Sequence, residues 1–135
     1  MARYEFSRRM LDRGVATLKA AGRWEAPAVQ ERAARALMLC EAARLLVYRV
    51  VDGKARYLAH DAFPSVARWA IVQADTGVNE FLTEFLPEGL IGKDSVQLAH
   101  HQRAIAAGIA SGAAEIQLNL IARRWLGLPG EGHKQ

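Results

Sequence analysis

The sequence predicts an all-α protein, an antiparallel four-helix bundle. Apolar residues recur at steps of three and four through most of the 135 residues, which is the spacing of a buried helix face. Strand-like alternation is nowhere sustained. Glycine and proline stand at the boundaries of these apolar segments, where helices begin and end. Four such segments divide the chain and favour an antiparallel bundle.

Glycine and proline residues mark the ends of the first two predicted helices. Residues 4–21 form the first, which Gly22 closes. The second begins near Pro27, since a helix does not need that N–H in its first turn. It ends at Asp52-Gly53, where glycine can adopt the left-handed cap. We expect one buried stripe on the second helix, formed by Val29, Ala33, Ala36, Cys40, Ala43, Val47 and Val50.

The third predicted helix starts near Pro64-Ser65 and stops before Pro87 and Gly89. Its apolar face consists of Ala67, Ala70, Ala74, Val78, Phe81 and Phe85. The fourth region opens with a cap in residues 94–95, at Asp94 or Ser95, and runs to Leu126. Gly127 and Pro129 mark its end, and we expect residues 127–135 to form a flexible tail.

The fourth region contains a weak point between Gly108 and Gly112. Each glycine inside a helix costs about 1 kcal/mol relative to alanine, so we expect the helix to bend or break there. The small side chains around it allow a close helix crossing or leave a gap for a flat ligand. The residues alone favour the crossing.

Composition limits the class of protein. A chain of 135 residues with 51% hydrophobic and 24% charged residues is expected to form one globular domain, residues 1–135. No apolar run approaches the roughly 20 residues that span a membrane, and the start lacks the apolar core of a secretion signal. Cys40 is the single cysteine, so no internal disulfide or thiol metal site is expected. We expect a cytoplasmic protein.

The net charge of +4 raises the question of an anionic partner. The arginines are spread along helical segments and aromatic residues make up only 7%, so we expect no nucleic-acid binding. Phosphates of a ligand such as coenzyme A could use the same charge. The adjacent His100 and His101 point to different sides of a helix, so no metal site is expected. No Ser/His/Asp catalytic arrangement has supporting sequence context.

The most specific motif is the run from Ser111 to Pro129, Ser-Gly-Ala-Ala-Glu-Ile-Gln-Leu-Asn-Leu-Ile-Ala-Arg-Arg-Trp-Leu-Gly-Leu-Pro. It resembles the closing signature of acyl-CoA dehydrogenases. In that family a Glu-Gly-Thr-Ser-Glu-Ile-Gln-like run opens the last helix, and an Ile-Ala-Arg…Leu-Gly-Leu-Pro run ends it. Matching positions here are Glu115, Ile116, Gln117, Asn119, Ile121, Ala122, Arg123, Leu126, Gly127, Leu128 and Pro129.

The resemblance extends over residues 5–130, in the order of the family's C-terminal four-helix domain. Residues 21–29 resemble the junction of its first two helices, and residues 65–70 resemble the Ser-Ile-Ala-Lys opening of the third. Residues 85–90 are similar to the turn that follows. Residues 41–48 are similar to actinobacterial and proteobacterial members that act on steroid or branched acyl chains.

The family's reaction identifies the candidate catalytic position. An acyl-CoA loses its α-hydrogen as a proton to a carboxylate base and its β-hydrogen as a hydride to the flavin of FAD. The resemblance places Ser111 at the base position, where a hydroxyl cannot act as this base unaided. Some relatives carry the base on the first helix. Glu5 and Asp12 are the carboxylates on that helix here, and neither is assigned.

The resemblance also implies the cofactor contacts. Gly112 keeps the motif glycine, Ala113 replaces a threonine that touches the cofactor, and Glu115 stands at the next contact. Arg23 lies beside the position of an expected arginine. The turn that holds the adenine end of FAD across a subunit interface falls on residues 83–87, beginning at Thr83, without the family's Gln and glycines.

These implications define the expected function. Relatives bind flavin and acyl-CoA between this bundle, a β-domain and an N-terminal helical domain, so we expect this chain to be inactive alone. It would serve as the flavin-facing, oligomer-forming C-terminal domain of an FAD-dependent acyl-CoA dehydrogenase, beside a β-domain or partner subunit. The alternative is a non-catalytic structural or regulatory subunit. We expect a homo- or hetero-oligomer, with Ile116, Leu120 and Trp125 as interface candidates.

Overall fold

Helices follow one another along the whole described chain. The computed structural model describes residues 3–58, 60–92, 95–109 and 113–130. Its α-helices are α1 (Arg3–Ala20), α2 (Pro27–Ala55), α3 (Phe63–Phe85), α4 (Val96–Ala107) and α5 (Ala114–Arg124), and a short 3₁₀ helix (Pro87–Leu90) follows α3. No strand occurs within these ranges, so the all-α prediction is confirmed.

The central helix of the bundle is α3, which packs against α1, α2, α4 and α5. Contacts along its length show that α1 runs parallel to α3, whereas α2 and α4 run antiparallel to it. The pairs that establish these directions are Ser7–Asp75 and Gly14–Leu82 for α1, Arg32–Glu84 and Arg49–Phe63 for α2, and Gln97–Leu86 and Arg68–Ala107 for α4. Successive long helices therefore alternate in direction, as predicted for an antiparallel bundle.

Apolar side chains of α1, α2 and α3 form the core. Its buried members are Tyr4, Met10, Leu11, Leu18, Val29, Ala33, Ala36, Cys40, Ala43, Ala74, Val78, Phe81, Leu82 and Leu86. The predicted stripe on α2 is buried from Val29 to Ala43, while Val47 and Val50 are half-buried. None of the described helices has the length and apolar character needed to cross a membrane.

The end of α2 differs from the prediction. Gly53 does not stop the helix, which continues to Ala55. The left-handed residue is Tyr57 instead (φ 55°), and the Leu58 N–H closes the helix by bonding to the Gly53 carbonyl at 2.9 Å. A glycine inside a helix costs only about 1 kcal/mol, which the hydrogen bonds of a further turn offset.

The fourth predicted helix is interrupted, as expected from its glycines. It consists of α4, which ends at Ala107, and α5, which begins at Ala114. Ser95 is the N-cap of α4, because its Oγ accepts the Leu98 N–H at 3.2 Å. The alternative cap, Asp94, lies outside the described residues. The described residues of the bundle therefore form five α-helices, and the fourth predicted helix corresponds to α4 and α5.

Candidate functional site

The turn between α4 and α5 is closed by hydrogen bonds to the carbonyls that end α4. A helix that stops leaves its last carbonyls without partners inside the helix. Three are satisfied here, by Ile109 N–H to Ala106 O (3.1 Å), Arg68 Nη2 to Ala107 O (2.7 Å) and Ala114 N–H to Gly108 O (2.7 Å). The third bond holds the start of α5 against the end of α4.

Two of the predicted site residues lie at the exit of this turn. Ala113 is the N-cap of α5, with an extended backbone (φ −51°, ψ 148°), and is half-buried. Its methyl group cannot accept the N–H groups of the first turn, as a threonine hydroxyl would. Glu115 is exposed in that first turn, where a carboxylate interacts favourably with the helix dipole. Ser111 and Gly112 lie outside the described residues.

Arg23 and Thr83 lie at the other end of the bundle. Arg23 Nη2 donates to the Phe85 carbonyl at 2.7 Å, and its Nη1 lies 3.5 Å from a Glu88 carboxylate oxygen. Thr83 is exposed on α3, 15 residues after Arg68, which is a separation of about 22 Å along the helix. The structure does not bring Arg23 and Thr83 together with Ala113 and Glu115.

The carboxylates of α1 face α2 and not the α4–α5 turn. Glu5 lines a groove of about 280 Å³ between α1 and α2, together with Arg8. Asp12 is ion-paired to the same Arg8, with an Nε–Oδ1 distance of 3.0 Å. In contrast, Phe6 lies on the α4 side of α1, with the Arg103 guanidinium 4.7 Å from its ring centre. Neither carboxylate is therefore directed at the turn.

A buried polar network joins α1, α3 and α4. Ser7 Oγ donates a hydrogen bond to Asp75 Oδ1, and His100 Nε2 lies 3.2 Å from the same Ser7 oxygen. Arg103 Nη2 lies 3.5 Å from Asp75 Oδ1. Because the Ser7 proton is directed at the carboxylate, the hydroxyl accepts from His100 Nε2–H, and the neutral imidazole carries its proton on that nitrogen. Burial lowers the pKa of His100 to about 4, although the negative charge of Asp75 opposes this shift.

This network is structural and not a hydrolytic triad. Ser7 and Asp75 are 0% exposed and His100 is 1% exposed, so no substrate reaches the hydroxyl. The Ser7 proton is also directed at the aspartate, whereas a nucleophilic serine needs its proton directed at the histidine. Sequence reasoning missed the network. The available signal was one acidic residue, Asp75, inside the apolar face that Ala74 and Val78 define on α3.

The histidine pair and the cysteine have no metal-binding arrangement. His100 contacts Ser7 of α1, whereas His101 Nδ1 lies 2.9 Å from Asn79 Oδ1 of α3. Burial raises the pKa of the Cys40 thiol to about 12, which keeps it protonated at neutral pH. Across the described part of the chain, no three His, Cys, Asp or Glu side chains could hold one metal ion.

The outer surfaces of α2 and α5 carry several large, exposed apolar side chains. α5 contains no buried residue, and α3 is the helix that it contacts within the described ranges. Trp125 at its end is 49% exposed and packs edge-on against Phe63, at a ring distance of 5.1 Å. The large exposed apolar residues on these surfaces are Leu37, Met38, Leu45, Tyr48, Val51, Ile116, Leu118, Trp125 and Leu126. Of the predicted interface residues, Ile116 and Trp125 are exposed and Leu120 is half-buried.

The comparison with protein families covers all five helices and the turn between α4 and α5. The family described as "Acyl-CoA dehydrogenase, C-terminal domain" matches residues 2–126. The chain belongs to the acyl-CoA dehydrogenase family. A comparison with curated proteins finds no match, and a comparison with solved structures finds none either.

Acyl-CoA dehydrogenases are in general FAD-dependent, and the described residues can be tested against that cofactor. Ala113 and Glu115 border the exposed start of α5, where another molecule can reach them. Arg23 has part of its guanidinium committed to Phe85 and Glu88. Ala113 and Glu115 fit a contact with one part of the cofactor, and Arg23, at the other end of the bundle, fits only a separate one, so the described residues do not enclose it. Most of the binding pocket would have to come from outside this domain.

Proposed function

We propose that the chain is the flavin-facing, oligomer-forming C-terminal domain of an FAD-dependent acyl-CoA dehydrogenase. It acts with a β-domain or a partner subunit in the α,β-dehydrogenation of an acyl-CoA. The family match across residues 2–126 carries this proposal, since it spans both the bundle and the turn that opens α5. FAD, when bound, supplies the hydride acceptor for this reaction.

We assign the cofactor contacts to two separate regions. Ala113 and Glu115, at the start of α5, are assigned to the flavin end, together with Gly112, which precedes Ala113 in the sequence. Arg23 and Thr83 contact the adenine end of a cofactor held across a subunit interface. Thr83 lies about 22 Å along α3 from Arg68, the residue that contacts the end of α4. This distance supports two separate contact regions and argues against one compact pocket.

The proton-accepting role belongs to a group other than Ser111. A serine hydroxyl is a poor base without a neighbouring acceptor, and Glu5 and Asp12 face α2. We therefore propose that a partner subunit or another domain provides the carboxylate. The likeness of residues 41–48 to relatives acting on steroid or branched acyl chains supports a bulky acyl group as the substrate.

Oligomer formation follows from the uncovered apolar surface of α2 and α5. Monomeric soluble proteins rarely expose large contiguous apolar patches. Met38 and Leu45 are 69% and 57% exposed on α2, and Ile116 is 54% exposed on α5. We propose that a second copy, a β-domain or a partner subunit covers these helices. Sedimentation of the chain at high micromolar concentration should give a dimer or tetramer, and a monomer would contradict this part of the proposal.

A second candidate function is a non-catalytic structural or regulatory subunit of such an enzyme. The observation that favours it is the residue content of the turn, with Ser111 at the base position and Ala113 in place of threonine. The same bundle would then support assembly without contributing to chemistry.

Co-purification with flavin distinguishes the two functions. The chain is co-expressed with the products of the neighbouring genes, and the flavin absorbance and acyl-CoA-dependent dye reduction of any complex are measured. Glu115→Gln should weaken flavin retention, whereas Asp12→Asn, which removes an exposed carboxylate of α1 that is paired to Arg8, should not. A stable complex that is colourless, or whose flavin is indifferent to Glu115→Gln, would favour the structural subunit.

A further inference from the structure

Arg68 joins the α4–α5 turn to the rest of the bundle. It lies in the second turn of α3, is half-buried, and its Nη2 donates to the Ala107 carbonyl at 2.7 Å. The other two described bonds at the end of α4 come from Ile109 and Ala114. Those two bonds join residues within the segment that runs from the end of α4 to the start of α5. Of the three bonds, the one from Arg68 comes from a helix outside the α4–α5 segment.

The end of α4 has no charged side chain of its own to stabilise it. Its last turn contains no basic residue, and Gly108 follows directly. The carbonyl end of a helix carries partial negative charge, which a cation stabilises. Ala104 and Ala107 are buried and small, so α4 approaches α3 closely enough for Arg68 to reach its last carbonyls. The guanidinium therefore supplies both the charge and the hydrogen bond that this helix end lacks.

α5 is restrained along its length and at its two ends. Along its length it is half-buried against α3. At its far end, Trp125 packs against His60 and Phe63, with ring distances of 5.3 Å and 5.1 Å. At its near end, the Ala114–Gly108 bond connects it to the turn that Arg68 holds.

We infer that Arg68 is the positioning residue for the flavin-facing turn, an inference that rests on the proposed function. By fixing the Ala107 carbonyl to α3, it sets where Ala113 and Glu115 stand relative to the bundle. A cofactor bound largely by other domains can meet these residues only if their position is fixed beforehand.

Hydrogen exchange on the 135-residue chain tests the anchoring without any flavin. In Arg68→Met, exchange of the Ile109 and Ala114 amides should accelerate about ten- to hundredfold, the effect of losing one charged hydrogen bond. Core amides of α3, at residues 74–82, should keep their protection. Arg68→Lys retains a charged donor and should restore most of the protection. Arg32→Met, which removes an exposed ion pair to Glu84, is the matched control and should leave the turn unchanged.

Flavin spectroscopy on the assembled flavoprotein tests the positioning role. Arg68→Met should change the flavin absorbance bands or loosen flavin retention, and Arg68→Lys should recover them. Unchanged exchange at Ile109 and Ala114, a uniform rise over the whole chain, or a local opening with an identical flavin spectrum would each overturn the inference. A wild-type assembly that holds no flavin would contradict the proposed function, and the exchange result would still decide whether Arg68 anchors the turn.

Discussion

Ser7 and Asp75 are hydrogen-bonded inside the bundle, although 68 residues separate them in sequence. The bond ties α1 to α3, and His100 extends it to α4 through the same hydroxyl. Three helices therefore meet at one buried polar network. Such a network stabilises a fold only while every member keeps its protonation state, because the low dielectric makes an unpaired buried charge costly. His100 is the member whose protonation state depends most on pH.

The pKa of His100, lowered to about 4, predicts a loss of stability in acid. An unfolded histidine has a pKa near ~6.5, so the unfolded chain binds this proton first. The stabilising contribution is complete above about pH 6.5 and is lost as the pH falls towards 4, amounting to about 3 kcal/mol. Urea unfolding at pH 7, 5.5 and 4.5 measures this loss in the free energy of unfolding. The wild-type chain should lose more stability over this range than His100→Gln.

The matched control for this prediction is His101→Gln, because His101 bonds to Asn79 at the half-buried α3–α4 surface. This variant should keep the pH dependence of the wild type. Equal pH dependence in the wild type and His100→Gln would show that the buried imidazole does not carry the effect.

A helix cap can be added at the start of α5. Ala113 is the N-cap residue and makes no side-chain cap bond, and threonine there would accept an N–H from the first turn. We expect Ala113→Thr to raise the free energy of unfolding by about 1 kcal/mol. Ala113→Val has the same shape without the hydroxyl and should give no such gain. Thermal unfolding of the two variants decides the point, and equal stability would argue against the cap.

Gly89 lies in close contact with the side-chain amide of Gln97. A Cβ added at Gly89 would lie 2.5 Å from Gln97 Cδ, and the displaced amide would lose its 2.7 Å bond to the Leu86 carbonyl. We expect Gly89→Ala to destabilise the chain by about 1–2 kcal/mol. In a Gln97→Ala background the same substitution should cost much less, and this difference is the coupling that a double-mutant cycle measures. Additive costs would refute the contact as the cause.

The parts of the fold that the sequence predicted depend on local pattern. The stripe from Val29 to Ala43 and the interruption after Gly108 follow from helical periodicity and glycine propensity, which act over a few residues. The predicted end of α2 at Gly53 was wrong, because a glycine is tolerated inside a helix when a further turn can form. The decision there depended on the loop beyond it, where Tyr57 adopts the left-handed conformation.

The candidate site was predictable only where it is contiguous in sequence. The motif beginning at Ser111 drew attention to the α4–α5 turn, but it contains no information on Arg68, which lies about 40 residues earlier. The network of Ser7, Asp75 and His100 escaped for the same reason, since its members come together only after three helices pack. Long-range polar pairs follow from tertiary register, which a periodic pattern does not specify.

The most direct test of the central claim is α-proton exchange in a flavin-loaded complex that carries Ser111→Glu. If the turn faces the flavin and the acyl-CoA, the new carboxylate stands where the family places its base, and general-base catalysis contributes about 10²–10⁴-fold. Deuterium wash-out from an α-labelled acyl-CoA should therefore rise well above that of the wild-type complex. Ser111→Gln introduces a side chain of the same size as glutamate but without a basic group. In this variant deuterium wash-out should stay at the wild-type rate. Equal wash-out in the wild type and Ser111→Glu would contradict the claim that this turn lies at the active site.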